Sequence, residues 1–204
     1  MLFINEAMAL FSKKTKITIH AFTRLLAQCI IKANPVNCQI IEESESLSDK
    51  EKEKIVSELL YFRLVLLYFM LVFEEKFGSK HYDDSELIDV IHLGVRLAFE
   101  DNGIDKENAQ QKTEIFMQRL LHYMTSTIGT SEDSVEIEED VVYCELVQRF
   151  RDDMLGVEKD KLGEMLNDEE FMLKHHEVLH YTKQLYDHDD NMFKQNFKEY
   201  KFVN

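Results

Sequence analysis

The stretch His176-Glu177-Val178-Leu179-His180 has residue types and a spacing that point to a specific chemistry. In zinc peptidases the pattern H-E-x-x-H places two imidazoles one turn apart on a helix, where both can bind one Zn²⁺ ion. The glutamate between them then acts as a general base toward a metal-bound water. The motif therefore makes His176 and His180 candidate zinc ligands and Glu177 a candidate catalytic residue.

The helix expected to carry this motif argues against the zinc site. At about 100° per residue, the apolar side chains of segment 171–186 form one stripe, and His176 and His180 lie roughly 110–150° from it. A third ligand would have to come from 187–190 or from Glu199, and neither has the spacing of an extended zinc-peptidase signature. We therefore expect surface histidines, with a zinc-dependent hydrolase as the alternative.

A dimetal carboxylate site inside a helical bundle is a second interpretation of the same motif. Such a site needs two E-x-x-H pairs and a glutamate from each of two further helices, all facing inward. Glu177 and His180 supply one pair. The best candidate for the second pair is Asp89 with His92, in which an aspartate replaces the glutamate. The further candidate ligands are Glu58 and Glu145. Because one true pair is missing, this interpretation is not preferred.

Arg63 is a charged residue beside the most apolar part of the chain, LVLLYFMLVF over residues 64–73. A buried guanidinium without a partner is strongly destabilising, so we expect either a salt bridge to a carboxylate on a neighbouring helix or a stem that lies along the core with its charged head in water. The alternative is an anion-binding arginine at the mouth of a pocket between two central helices. His92 and His175 are each expected at the edge of the core with a hydrogen-bond partner.

The scarcity of helix breakers predicts the fold class. The chain of 204 residues contains one proline and six glycines, so little interrupts the helices that its leucines, glutamates and lysines favour. No segment alternates convincingly as a paired strand does. We predict a single all-α domain over residues 1–204. Its bundle of seven or eight helices is expected to bury two central helices, at about 49–77 and 85–101, almost completely.

Capping residues and breakers set the expected helix boundaries. The expected N-caps are Thr18, Ser48, Asp105, and either Asn167 or Asp168. Pro35 is expected to end the first helix and to open a long acidic loop over 34–47, and segment 1–17 is expected to be loosely attached. The helices are predicted at 19–33, 49–77, 85–101, 106–128, 131–156, 157–166, 169–186 and 191–202.

Charge and cysteine content argue against several classes of protein. The net charge of −15 argues against a general DNA- or RNA-binding surface. The three cysteines include no CxxC pair, so free thiols in a reducing compartment are expected, and Cys144 is expected to be a small buried residue. No signal peptide is recognisable, and the run 64–73 is shorter than the roughly 20 residues that a membrane span needs. We expect a cytoplasmic protein without a membrane span.

No assembled catalytic set accompanies these helices, since the chain has neither a glycine-rich phosphate loop nor a nucleophile-elbow motif. This favours a non-enzymatic protein-interaction or scaffold module that binds a protein partner or self-associates. The acidic stretch 42–46 and the tail 193–204 are the expected contact regions. The alternatives are a zinc-dependent hydrolase and a helical-bundle small-ligand or dimetal binder, and the preferred interpretation needs no cofactor.

Overall fold

Six α-helices and two short strands make up the computed structural model, which describes residues 14–74, 84–127, 139–157, 165 and 167–203. The elements are β1 (Thr15–Ile17), α1 (Ile19–Glu42), α2 (Asp49–Phe73), α3 (Asp84–Asp101), α4 (Lys106–Thr127), α5 (Glu139–Leu155), α6 (Glu169–Glu199) and β2 (Tyr200–Phe202). The mostly helical fold is confirmed. Six helices, fewer than the predicted seven or eight, lie within the described residues. The short helix predicted at 157–166 falls almost wholly outside them.

Polar N-caps begin the helices where the sequence predicts them. The Ser48 side chain accepts a hydrogen bond from the Glu51 N–H, and the Glu51 carboxylate accepts one from the Ser48 N–H at 2.7 Å, which completes a capping box. Thr18 and Asp168 cap α1 and α6 through their side-chain oxygens, and Asp105 does the same for α4. These helix starts are confirmed.

The second half of α2 is the centre of the core. Every residue from 61 to 71 is buried, whereas the charged side chains of α2 are concentrated in its first turns. A helix that is apolar on all sides must be covered on all sides, and α1, α4, α5 and α6 all pack against this one. The prediction of a nearly fully buried helix at 49–77 holds for this second half. Residues 75–77 lie outside the described part of the chain.

α3 is buried on one face, so the prediction of a second, almost fully buried central helix is wrong. Its buried face lies close against α1: a Cβ added to Gly94 would lie 2.8 Å from Thr23 Cγ2 and 3.2 Å from the Arg24 backbone nitrogen. The opposite side carries Asp89 in solvent. The apolar side chains that extend around α3 are only partly covered, among them Ile88, Leu93 and Leu97. α3 therefore lies at the edge of the bundle.

α1 continues through Pro35 for about two more turns, so its predicted end is wrong. A proline inside a helix lacks the N–H that would bond to the carbonyl four residues earlier, here that of Ile31, and costs about 3 kcal/mol. Two of the residues that follow, Cys38 and Ile41, are buried in the core. This burial offsets the missing hydrogen bond. The acidic loop predicted over 34–47 is therefore reduced to residues 43–47.

α6 is one unbroken helix of 31 residues, so the turn predicted at 187–190 is wrong. Within that segment Asp189 is buried and paired with Arg63, while Asp187 and Asp190 bond to lysines one turn away on the helix surface. Carboxylates with such partners do not interrupt a helix. The acidic run consequently continues α6 instead of ending it.

A parallel pair of three-residue strands, which the sequence did not predict, joins the beginning and end of the described chain. Thr15 of β1 lies opposite Tyr200 of β2. The Phe22 ring packs edge-on against the rings of Phe193, Phe197, Tyr200 and Phe202. The predicted helix end near 202 is therefore wrong. Of the segment 1–17 that was expected to be loosely attached, residues 15–17 are held in this sheet and 1–13 lie outside the described residues.

α2 is the one described helix that is long and apolar enough to cross a membrane, judged by length and composition alone. Its most apolar window has a mean hydropathy of 2.0, and 72% of that window is buried inside the bundle. The mostly buried core helix of a water-soluble protein passes the same test. The absence of a membrane span therefore stays a prediction.

Candidate functional sites

The HExxH residues lie toward the outer side of α6. His176 and His180 are exposed, in agreement with their helical spacing, and His180 Nε2 lies 2.9 Å from the side-chain nitrogen of Gln184. Glu177 is half-buried, and its carboxylate accepts a hydrogen bond from the Ser46 hydroxyl. The glutamate thus ties the connection before α2 to α6.

Neither metal hypothesis finds a ligand set among the described residues. In that part of the chain, no group of three or more histidine, cysteine, aspartate or glutamate side chains could hold a metal ion. Of the dimetal candidates, Asp89 and Glu145 are exposed and His92 is half-buried. Both oxygens of Glu58 accept hydrogen bonds from Arg119, at 2.5 and 2.6 Å. A carboxylate neutralised in this way is poorly suited to bridge metal ions.

His175 is a histidine of α6 that the core partly covers. Its ring lies 5.8 Å from that of Phe171 and 5.7 Å from that of His176. Its Nδ1 atom is buried without a hydrogen-bond partner among the described residues, so the expected bond is missing for this nitrogen. Burial lowers the pKa of the imidazole, and the charges of Arg151 and His176 lower it further.

Arg63 forms a buried salt bridge, and its partner is Asp189 of α6. Nε and Nη2 of Arg63 donate to the two Asp189 oxygens at 2.8 and 2.7 Å, and the two side chains are 0% and 1% exposed. Nη1 also donates to the Ile30 carbonyl at 3.5 Å. Because Arg63 has no exposed surface, it does not line a pocket mouth, as the anion-binding alternative requires.

Two further polar side chains share the surroundings of this salt bridge. Cys38 of α1 and Tyr181 of α6 interact electrostatically with Arg63, and burial raises the pKa of both the thiol and the phenol. Both groups are therefore neutral near pH 7. The cluster is a closed polar connection between α1, α2 and α6, and it fixes how these helices pack.

A second polar cluster, which we call the three-helix pocket, is open to solvent between α2, α4 and α5. It has a volume of about 270 Å³ and is lined chiefly by Lys54, Glu58, Arg119, His122, Tyr123 and Asp153. His122 Nε2 lies 2.8 Å from an Asp153 oxygen, and Arg119 forms the bidentate contact with Glu58 described above. Charged groups of both signs that converge in a cleft mark a candidate binding site.

Sequence reasoning missed the three-helix pocket, because its residues form no motif. From the sequence, Glu58 was predicted only as a possible metal ligand. The available signal is spacing: Lys54 and Glu58, and likewise Arg149 and Asp153, are four residues apart, so each pair shares one helix face. Which faces meet depends on how α2, α4 and α5 pack, and spacing within one helix does not determine that.

A mostly apolar groove of about 480 Å³, the α5–α6 groove, lies between the last two helices. Its apolar and aromatic side chains are Tyr143, Cys144, Val147, Leu179 and Tyr186, and its polar ones are Gln148 and Lys183. The rings of Tyr143 and Tyr186 are 4.5 Å apart. Cys144 is exposed, so its predicted burial is wrong, and Val141, one turn earlier on α5, is 47% exposed.

No protein-family model matches the chain, and no curated protein and no solved structure is significantly similar to it. Candidate functions therefore rest on the geometry of the chain itself. Two concavities formed by the described residues, the α5–α6 groove and the three-helix pocket, are candidate binding sites.

Proposed function

We propose that this protein acts by binding a protein partner and not by catalysis, and that the α5–α6 groove is the contact surface. A groove between two helices accepts an amphipathic helix whose apolar side chains at i, i+3, i+4 and i+7 enter it. The observation that carries the proposal is the open, mostly apolar groove itself, with Cys144 exposed within it.

The groove has the length of roughly one to two helical turns. On α6, the lining residues Leu179 and Tyr186 lie two turns apart on one face. On α5, the lining residues run from Tyr143 to Gln148, about one and a half turns, and the exposed Val141 lies one turn before Cys144 on the same face. Two turns of a partner helix, which rise by about 10 Å, therefore fit the α6 wall.

Charge favours a basic partner over a second copy of the chain. With a net charge of −15, two copies repel each other, whereas a positively charged partner is attracted. Beside the groove, Glu145 is exposed on α5, and the groove residue Lys183 already bonds to Asp187 at 2.9 Å. The proposed occupant is an amphipathic helix with lysines or arginines on its polar face.

Fluorescence anisotropy with a designed, labelled peptide tests this proposal. The peptide carries leucines at i, i+3, i+4 and i+7 and lysines elsewhere. A control peptide of the same composition distributes its leucines around the helix. We expect the protein to bind the first peptide and not the second. Binding of neither, or dimerisation through the groove in analytical ultracentrifugation, would overturn the proposed partner.

Substitutions in the groove localise the binding. Cys144→Arg places a large cation at an exposed position, so we expect it to weaken peptide binding at least roughly tenfold without unfolding the protein. Leu179→Ala provides a second variant through lost apolar contact. The matched control is Leu173→Arg, since Leu173 is 61% exposed on α6 and does not line the groove. Equal binding by wild type and Cys144→Arg would contradict the proposed location.

A cytoplasmic location completes the proposal. Cys29, Cys38 and Cys144 are free thiols, which suits a reducing compartment. The single domain over 1–204 likewise stays a prediction.

A further inference from the structure

We propose that the three-helix pocket binds a small oxyanion, a phosphate or a carboxylate group, independently of the partner helix in the α5–α6 groove. The pocket lies between α2, α4 and α5, and the groove lies between α5 and α6. Different residues line the two concavities, so each can be tested without the other.

The carboxylates of the pocket already have partners. Arg119 Nε and Nη2 bond to the two oxygens of Glu58. Asp153 lies 2.8 Å from His122 Nε2 and forms an ion pair with Arg149 at 3.5 Å. A metal cation or a positively charged ligand would have to displace these partners, so the pocket does not favour a cation.

Hydrogen-bond donors remain in the pocket. Arg119 uses Nε and Nη2 for Glu58, and its Nη1 makes no hydrogen bond to the described residues. The Arg119 side chain is 37% exposed, and Glu58 does not use the guanidinium edge formed by Nη1 and the second Nη2 hydrogen. A guanidinium edge of this kind bonds in a bidentate manner to phosphate or carboxylate oxygens.

Lys54 adds a positive charge that forms no ion pair with a carboxylate of the described residues. Its Nζ donates to the backbone carbonyls of Asp153 and Met154, the latter at 3.3 Å, near the end of α5. The partial charge of a helix C-terminus offsets about half of a unit charge. Of the residues that line the pocket, Lys54 and Arg119 are cations and Glu58 and Asp153 are carboxylates, and Asp153 is also paired with Arg149 beside the pocket. The charges of the pocket therefore balance, in contrast to the net charge of −15 of the whole chain, so the pocket repels anions less than the rest of the surface does.

The size and base of the pocket limit the ligand. A volume of about 270 Å³ is below the roughly 300–1,000 Å³ typical of pockets for drug-sized ligands. Beneath the charged groups, the Phe62 ring stacks on Phe150 at 4.3 Å and contacts the Tyr123 ring at 5.6 Å. This aromatic packing holds α2, α4 and α5 in fixed positions, so the donors are pre-organised for a small ion or compound.

Isothermal titration calorimetry tests the inference with inorganic phosphate in one arm and succinate in the other, at low ionic strength. Chloride is the control anion. We expect saturable binding of phosphate, of succinate or of both, and the arm that binds identifies the chemistry. Lys54→Gln and Arg119→Gln are each expected to weaken the affinity roughly tenfold, the loss of one charge-assisted hydrogen bond.

Arg24→Gln is the matched control variant. Arg24 forms a bidentate pair with Asp101 across two helices, with exposures of 43% and 24%, close to the 37% and 21% of Arg119 and Glu58. Its substitution should leave anion binding unchanged. Lys54 is exposed, so Lys54→Gln is expected to fold even if Arg119→Gln does not.

The inference would be overturned by no saturable heat with either oxyanion, by equal binding of chloride, or by an equal loss of affinity in Arg24→Gln. Unchanged affinity in Lys54→Gln would also overturn it. Failure of the designed peptide to bind the α5–α6 groove would leave these outcomes unaffected, because the peptide experiment reports on other residues.

Discussion

Two arginine–carboxylate pairs on α2 lie in opposite surroundings. Arg63 bonds to Asp189 with side-chain exposures of 0% and 1%, whereas Arg119 bonds to Glu58 with exposures of 37% and 21%. Both contacts are bidentate and have similar distances, so burial is the difference between them. A buried pair that loses one partner leaves an uncompensated charge, whereas an exposed pair contributes little to stability.

Helix geometry allows one helix to carry both pairs. Positions 58 and 63 are separated by about 140° around α2, so one faces α4 and the other faces α6. The position facing α6 fixes the core, and its guanidinium is enclosed. The position facing α4 leaves donors at a solvent-accessible pocket. The buried pair is therefore a packing contact, whereas the exposed pair lies at a candidate ligand site.

The largest expected effect comes from removing one side of the buried pair. Asp189→Ala leaves the Arg63 guanidinium buried without its carboxylate, so we expect the free energy of unfolding to fall by about 3–5 kcal/mol. Urea denaturation followed by circular dichroism measures this loss. The control is Asp187→Ala, which removes an exposed carboxylate of the same helix that is paired only with Lys183 on the surface. A loss below about 1 kcal/mol for Asp189→Ala would show that the pair does not hold α2 and α6 together.

Replacing both partners with apolar residues should restore most of that stability. In Arg63→Met/Asp189→Leu neither charge is buried, and such replacements are often neutral or stabilising by about 1–4 kcal/mol. A double-mutant cycle in urea compares the two single variants with the double variant. If the double variant loses as much stability as the two single losses added together, the cost does not arise from an unpaired charge.

Breaking the exposed pair should have a much smaller effect on stability. Arg119→Gln or Glu58→Gln is expected to lower the free energy of unfolding by at most about 1 kcal/mol, and less at high salt. The same urea experiment at two salt concentrations checks this. If the free energy of unfolding fell as much as in Asp189→Ala and did not depend on salt, the two pairs would not differ in their contribution to stability.

The smallest expected effect concerns His175, a half-buried polar group that belongs to neither pair. Burial lowers its pKa in the folded protein, so the unfolded chain takes up the proton first as the pH falls below about 6.5. Stability therefore decreases on acidification through this range and is regained as the pH rises. His175→Gln should reduce the difference in melting temperature between about pH 7 and pH 5.5. Equal differences in wild type and variant would refute this assignment.

The fold was predictable from the sequence wherever a local interaction decides the structure. The capping box at Ser48 and the cap at Asp168 mark helix starts that need no tertiary contact. The predicted helix ends are wrong where burial in the tertiary structure outweighs local sequence signals. α1 passes Pro35 because Cys38 and Ile41 in its last turns are buried, and α6 passes 187–190 because Asp189 has a buried partner.

The candidate sites were predictable only in part, for the same reason. The cost of an unpaired buried charge indicated that a buried Arg63 needs a partner. The partner, Asp189, is 126 residues away in the sequence, and only the packing of α2 against α6 brings it to Arg63. The outward orientation of His176 and His180 followed from helical spacing within α6. The three-helix pocket and the α5–α6 groove exist only between helices, and no pattern within one helix shows them.

The rate of thiol modification at Cys144 tests the proposed groove most directly. Cys144 is exposed in the groove, and the half-buried Cys29 on α1 provides an internal control. When the designed basic peptide is present, we expect modification of Cys144 to slow in proportion to the bound fraction, while the rate at Cys29 stays constant. An unchanged Cys144 rate at a peptide concentration that saturates the anisotropy signal would show that the peptide binds elsewhere and contradict the proposed contact surface.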